Sequence, residues 1–388
     1  MKAAIIGAGD EALHTIKKAH EYGLSLTALD GNPDAAGLKE ADRPIVVDIS
    51  DEKATIETLR KEKPDFVLTA PIGRYLTTTG AVNDALGLPG ISREMAVLCT
   101  DKLKFHETLN RKGLRNCRCF SLADKVNVAK SALLFPVILK PRYGSGSRGI
   151  HMLLSDMEKP RLEELLSSAE REDYLVEEYI EGEEYGVDGA VTKDGFHMIL
   201  LRKKENTPLP ARQAVAYYSV LPSDGFRQQV KDYMGKVVEA LGLKDCLLHA
   251  DIIKTNDGPF VIELSARPSG HNLHNLFTPL CTGVDMAEEF IKYRMGLPYC
   301  FEPQDTKTMM IHYFDMEGRV KHVPDRKQAE QAINAKLTAW ECHLKEGEEL
   351  QPVSDGHSVM GRGYFVIEGE SSLQLKECAD SIKRLFIE

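Results

Sequence analysis

Two stretches of this chain hold side chains whose types and spacing could do chemistry. In FPVILKPRYGSGSRGI, residues 135–150, the apolar run Val137, Ile138 and Leu139 ends in Lys140, and Pro141 stops it. The ammonium is therefore expected at a fixed strand end. Gly144, Gly146 and Gly149 then let backbone N–H groups approach an anion, while Ser145, Ser147 and Arg148 add hydroxyl and guanidinium donors. Glycine spacing alone describes many ordinary surface loops. The lysine fixed beside the loop is what points to the phosphates of a nucleotide.

The second stretch is CLLHADIIKTNDGPFVIELSARPSG, residues 246–270, two apolar strands flanking Asn256-Asp257-Gly258. That tripeptide is a strong hairpin signal. A turn centred on Asp257 sets Asp251 across from Glu263, and alternation puts His249 and Ser265 on the same face. Two carboxylates so close repel unless a cation or proton lies between them. An oxygen-only ligand set beside a phosphate grip points to magnesium or manganese, although a one-residue slip would remove the opposition. Arg267 follows two residues beyond Ser265 and could clamp a carboxylate or a transferring phosphoryl group. His271 and His274 are spaced for one helix face; with no further ligands to make a zinc site, they read as pocket walls or ordinary polar residues.

Elements that would position these groups can be followed along the chain. Ala3 to Gly7 has the pattern of a buried strand, and Gly7, Gly9 and Ala12 give G-x-G-x-x-A before a helix ending at Gly23. A second strand, Ser25 to Leu29, ends at Asp30. Alone this is a dinucleotide fingerprint, so a nicotinamide-dependent dehydrogenase stands as a reading of a different class. Against it, the chain turns at once after Asp30 and no hydride-transfer partner is evident. A further strand at Asp65–Thr69 leads into a loop in which Arg74 and Tyr75 could meet a substrate, as loops after parallel strands face the ligand crevice. Thr100 is expected to cap a helix that carries Lys102 in its first turn. Five glutamates at 177, 178, 181, 183 and 184 crowd a strand–turn–strand segment.

With 388 residues, 43% apolar and 28% charged, the chain should fold as two or three globular domains. Acidic residues outnumber basic ones 59 to 49, so no basic field invites a nucleic-acid backbone. Eight cysteines without a C-x-x-C pair suit a reduced cytosol, and no transmembrane run or signal peptide is visible. The expected location is cytoplasmic, with no membrane partner.

Taken in order, the glycine-bearing first domain, the DK helix, VILKP with its loop, VEEYIEGEEY, the HADII–IELSAR hairpin and a small last domain resemble the ATP-grasp ligases. IELSARPSG and the segment GRGYFVIEG look like the L-amino acid ligase branch. The resemblance implies an α/β ATP-grasp fold with a Rossmann-like pre-ATP-grasp domain at 1–98. It further implies an ATP-grasp domain at 99–300, with a lid at about 115–185, and a closing α+β domain at 301–388. It implies that Lys102 and Lys140 contact ATP phosphates, that the loop with Ser145, Gly146 and Ser147 covers them, and that Glu177, Glu178, Tyr179 and Ile180 lie along adenine. Glu184 would accept the ribose hydroxyls, Asp251, Glu263 and Ser265 would hold the metal, and Arg267 is the family's active-site arginine. Asp251 stands where the family commonly has Glu, and Ser265 where it often has Asn. The implied reaction activates a small acid as an acyl phosphate with ATP and joins it to an amine, in a homodimeric enzyme. The alternatives are a purine-pathway or biotin-carboxylase-like enzyme of the same superfamily, the dehydrogenase, and a non-catalytic nucleotide-binding module.

Overall fold

The computed structural model describes residues 1–124, 134–144, 149–158, 173–208, 212–353 and 356–387. At the N-terminus, strands β1 (Lys2–Ile6), β2 (Ser25–Asp30), β3 (Arg43–Val46) and β4 (Phe66–Leu68) form a parallel sheet in the order β3-β2-β1-β4. Ala3 to Ile6 and Phe66 to Leu68 are buried throughout, because helices cover both faces of such a sheet and each strand must be apolar on both sides.

The turn after β1 is built on Gly7, at φ +87°, a conformation that a side chain would strain. Asp30 closes this turn: its two carboxylate oxygens accept the Ala8 and Asn32 amides at 2.7 and 2.8 Å. The acidic residue that a dinucleotide would need for its ribose is thus engaged by the backbone. That leaves the glycines a structural role and weakens the dehydrogenase reading.

Two helices follow, Arg93–Thr100 and Lys102–Arg111. Thr100 does not cap the second of these; its hydroxyl donates to the Ala96 carbonyl at 2.8 Å as the last residue of the first. The cap is Asp101, whose extended backbone and carboxylate take the Leu103 and Lys104 amides at 3.2 and 3.3 Å.

A small antiparallel sheet comes next, β5 (Cys119–Ser121), β6 (Val137–Pro141), β7 (His151–Leu153) and β8 (Tyr174–Glu178), in the order β5-β8-β6-β7. The largest sheet holds β9 (Glu183–Thr192), β10 (Gly195–Asn206), β11 (Ala214–Ser219), β12 (Cys246–Thr255), β13 (Gly258–Ser265) and β14 (Met309–Tyr313). Past the short pair β15 (Gly318–Arg319) and β17 (Glu349–Leu350), β16 (Lys336–Cys342) and β18 (Gly363–Glu368) complete it. Its order is β13-β12-β9-β10-β11-β14-β18-β16, antiparallel throughout. The pairing of Ala216 with His312 carries this sheet across residue 301, so the last segment shares its backbone ladder with the centre. None of the eight cysteines is in a disulfide. Among the described residues, no helix is long and apolar enough to cross a membrane.

Candidate active site

A cavity of about 510 Å³ is lined by residues of the small antiparallel sheet, of the largest sheet and of the loops after the N-terminal strands. Of the expected site residues, Lys102, Lys140, Glu177, Glu178, Tyr179, Ile180, Glu184, Asp251, Glu263, Ser265, Arg267, Arg74 and His271 line it, whereas Tyr75 and His274 do not. Ser145, Gly146, Ser147 and Arg148 lie outside the described residues.

The DK pair ties the helix Lys102–Arg111 to the stem of the glycine loop. Asp101 takes a two-pronged ion pair from Arg142, Nε–Oδ1 2.7 Å and Nη2–Oδ2 2.6 Å, and Tyr143 donates to it at 3.3 Å. Lys102 donates from Nζ to the Gly144 carbonyl at 2.7 Å. Burial pushes the Lys102 pKa down, with the Glu263 carboxylate opposing that shift.

Lys140 is the penultimate residue of β6, since Pro141 does not stop the strand but pairs with Tyr174, and its ammonium lies 2.6 Å from Glu177 on the neighbouring β8. His106 Nε2 stands 3.0 Å and Arg115 Nη2 3.3 Å from the same carboxylate. Burial works to raise the Glu177 pKa, yet Lys140, then His106 and Arg115, hold it well below the usual carboxylate range. Burial takes His106 down to about 4, so the imidazole is neutral at pH 7. Cys119 joins His106 and Glu177 within 4.8 Å, but the two cations already on the carboxylate set this trio against a metal. Alternation along β8 turns Glu178 the other way, where it accepts the Leu134 amide at 3.1 Å and pairs with Arg118 Nε at 3.1 Å. Both glutamates of the expected adenine hinge are therefore engaged through their side chains. Glu184 is paired with Arg212, which also donates to the Tyr179 hydroxyl and lies 5.1 Å over its ring.

The acidic hairpin has the expected opposition by an unexpected route. Its turn is the two residues Asn256-Asp257, with Thr255 paired to Gly258 and Ile252 to Val261. Ile262 then bulges, and Asp251 meets Glu263, with His249 across from Ser265. Lys204 Nζ lies 2.7 Å and His249 Nε2 3.4 Å from Asp251 Oδ1. Burial raises the Asp251 pKa, but Lys204 foremost holds it low, and that carboxylate keeps the buried lysine charged. The Glu263 side chain makes no hydrogen bond or ion pair among the described residues; Lys102 and Arg267 are cations that feel its charge. Two carboxylates and a hydroxyl, one carboxylate uncommitted, are hard oxygen donors that fit magnesium or manganese.

Burial lowers the Arg267 pKa, while Glu263, Glu11 and Asp251 oppose the shift, and its Nη1 donates to the Pro268 carbonyl at 2.7 Å. His271 and His274 do not share a helix face. His271 sits at φ +61° ahead of the single π-helical turn Leu273–Phe277, in which His274 is buried with Nδ1 on the Ser269 carbonyl. Arg74 is exposed at the cavity edge, 5.7 Å over the Tyr75 ring.

Lys204, Arg212, Arg115, His106 and Glu11 were not among the expected site residues. Lys204 had a signal, since HMILLRKK repeats the apolar-run-then-lysine pattern of VILK. His106 and Arg115 had none, because Glu177 is separated from Arg115 by 62 positions and meets it only in the fold.

Residues 133–274 match the sequence model of the ATP-grasp domain family. Over those residues the chain is similar to that family. Among curated proteins, this chain is 24% identical over 332 residues to the formate-dependent phosphoribosylglycinamide formyltransferase of Ignicoccus hospitalis, covering 76% of each. It is 21% identical to the L-arginine-specific L-amino acid ligase of Bacillus subtilis, covering 85% of this chain and 82% of that one. Among solved structures, the L-amino acid ligase from Bacillus licheniformis superposes with a TM-score of 0.77 at 19% identity, over 98% of this chain and 97% of its own. At that identity the structural likeness speaks for the ATP-grasp fold over the whole chain.

Proposed function

We propose that the protein is an ATP-dependent ligase that activates a small carboxylic acid as an acyl phosphate and joins it to an amine, releasing ADP and phosphate. The observation that carries this reading is the division of one cavity into two walls. Lys102 and Lys140 form a cationic wall beside the glycine loop, and Asp251 and Glu263 an acidic one, with Arg267 under the influence of both carboxylates.

A carboxylate resists attack by an amine because of its charge and resonance, so it must first be converted to a better electrophile. In-line phosphoryl transfer asks a protein mainly for positioning and charge neutralisation. Lys102, tied to the loop stem, and Lys140, held by Glu177, would steady the phosphates. Backbone groups of residues 177–180 would lie along adenine, since the Glu177 and Glu178 carboxylates are engaged elsewhere. Glu184 would take the ribose hydroxyls in exchange for Arg212. Asp251, Glu263 and Ser265 would hold magnesium or manganese, which supplies charge neutralisation at the transferring group. Arg267 would stabilise the oxyanion formed when the amine attacks.

The proposal extends to three domains at 1–98, 99–300 and 301–388, and to a homodimer in the cytoplasm. The purine-pathway reading draws on relatives such as the formate-dependent formyltransferase. Hydroxylamine trapping tests the central reading: with ATP, magnesium and its acid, the protein should yield a hydroxamate and ADP. Release of AMP in place of ADP refutes the acyl-phosphate route.

A further inference from the structure

We propose that the acidic wall of the cavity takes a single divalent ion, because the ammonium of Lys204 stands where a second would bind. This assignment rests on the ATP-dependent reading above and adds the number of ions to it.

Asp251 and Glu263 face each other across a hairpin. Opposed carboxylates of this kind can hold two divalent ions about 3.5–4 Å apart, one on each side of a transferring group. Such a site needs both carboxylates open to metal. Here the Glu263 side chain is uncommitted, whereas Asp251 Oδ1 has Lys204 Nζ at 2.7 Å and His249 Nε2 at 3.4 Å.

The sheet places the lysine there. β9 runs between β12 and β10, and its Gly186 pairs with Asp251 on one side and with Arg202 on the other. Alternation puts Lys204 on the same face as Arg202. Lys204 therefore reaches Asp251 across the middle strand, and at Gly186 no side chain stands between them. A Cβ at Gly186 would also come within 3.0 Å of Arg202 Nη2, so the gap serves both cations.

Arg202 is not available to take over from Lys204. It is fully buried and bound to Asp188, with Nη2 3.2 Å from Oδ1, and Thr278 Oγ1 donates to the other Asp188 oxygen at 2.6 Å. One buried pair is thus closed on itself, and Lys204 is the ammonium left in contact with Asp251.

Nor has Lys204 an easy way out. Its side chain is 8% exposed, and its Nζ lies 6.0 Å from the centre of the buried Tyr217 ring. Drawing the ammonium off Asp251 would leave a buried charge without its partner. A divalent ion on the same carboxylate oxygen would lie directly against that ammonium, where like charges repel. Glu263, Asp251 Oδ2 and Ser265 remain as the oxygen donors for one ion.

The experiment uses the full chain, with manganese as the probe ion and a non-hydrolysable ATP analogue carrying a β,γ-imido bridge. Equilibrium dialysis counts the bound manganese, and electron paramagnetic resonance reports whether two ions are neighbours. The wild-type protein should hold about one manganese per chain, with the signal of an isolated ion. Lys204→Met should hold about two, with the line broadening of ions at two-metal spacing. Lys204→Arg keeps the cation and should stay at about one, which separates charge from damage to the fold. With magnesium, wild-type ADP release should stop rising once the ion matches ATP, at about one per nucleotide.

Two neighbouring manganese ions in the wild-type protein overturn the assignment and leave the ligase reading standing. So does a folded Lys204→Met that gains no second ion. If Lys204→Met does not fold, the wild-type count decides alone. A wild-type protein that binds no manganese with the nucleotide overturns the metal placement itself, and this assignment with it.

Discussion

Asp251 and Glu263 stand opposite each other across the β12–β13 hairpin, and the bulged residue Ile262 puts them there. Ile252 pairs with Val261, so an uninterrupted ladder would set Asp251 against Ile262 and turn Glu263 to the other face. The extra residue brings the second carboxylate back to the cavity, which is the kind of re-aiming that bulges perform beside functional sites. Glu263→Gln keeps the shape and removes the charge. It should lower turnover at least about a hundredfold, about 3 kcal/mol of transition-state stabilisation, with the melting temperature unchanged. A variant with wild-type rates would place the metal elsewhere.

Lys204 and Asp251 are a largely buried pair, 2.7 Å apart with side chains 8% and 18% exposed. Removing the cation in Lys204→Met leaves the carboxylate uncompensated, a loss of about 3 kcal/mol. Because a divalent cation at Asp251 would replace the lost charge, millimolar magnesium should restore much of the stability of the variant. Calorimetry with and without magnesium checks this; an equal deficit in both conditions would separate Asp251 from metal binding.

Asp101 clamps Arg142 at the stem of the glycine loop while capping the helix that carries Lys102. Asn caps helices about as well as Asp, so Asp101→Asn should leave the fold intact and loosen only the clamp. The expected outcome in steady-state kinetics is a KM for ATP raised by roughly tenfold, the scale of one charge-assisted hydrogen bond.

His106 and His274 are both buried and both held down to about 4 from a reference of 6.5. Their folded values lie below the unfolded one, so between these limits the unfolded chain binds more protons and stability rises with pH. The stabilisation is complete above about pH 6.5 and is lost as pH falls toward 4. From pH 7.5 to 5 each histidine should cost about 2 kcal/mol. Urea titrations at the two pH values should show the drop, and His274→Gln should remove its share if it folds.

Much of this arrangement was legible in the chain because the signals are local. VILKP is a strand with a lysine next to its end, and Asn256-Asp257-Gly258 is a turn between alternating strands, so Lys140 and the two hairpin carboxylates could be placed from short windows. The Asp251–Glu263 opposition was reached with the wrong turn centre, since a bulge leaves no mark in a hydrophobic pattern. Thr100 lost the helix cap to its neighbour Asp101 because its hydroxyl was taken by the Ala96 carbonyl. The surroundings of Glu177 were out of reach: His106, Arg115 and Lys140 converge from separate elements, and only packing reveals that its carboxylate meets them. Glu11 was hidden for the same reason, its partners Gly270 and His271 lying at the other end of the fold.

The central claim is that the acid is phosphorylated before the amine attacks. It is tested most directly by supplying the acid with ¹⁸O in its carboxylate and recovering the inorganic phosphate. Transfer of one labelled oxygen per turnover from the acid to phosphate, with ADP as the nucleotide product, is the predicted result. Unlabelled phosphate during amide formation, or label appearing in AMP, would contradict the account.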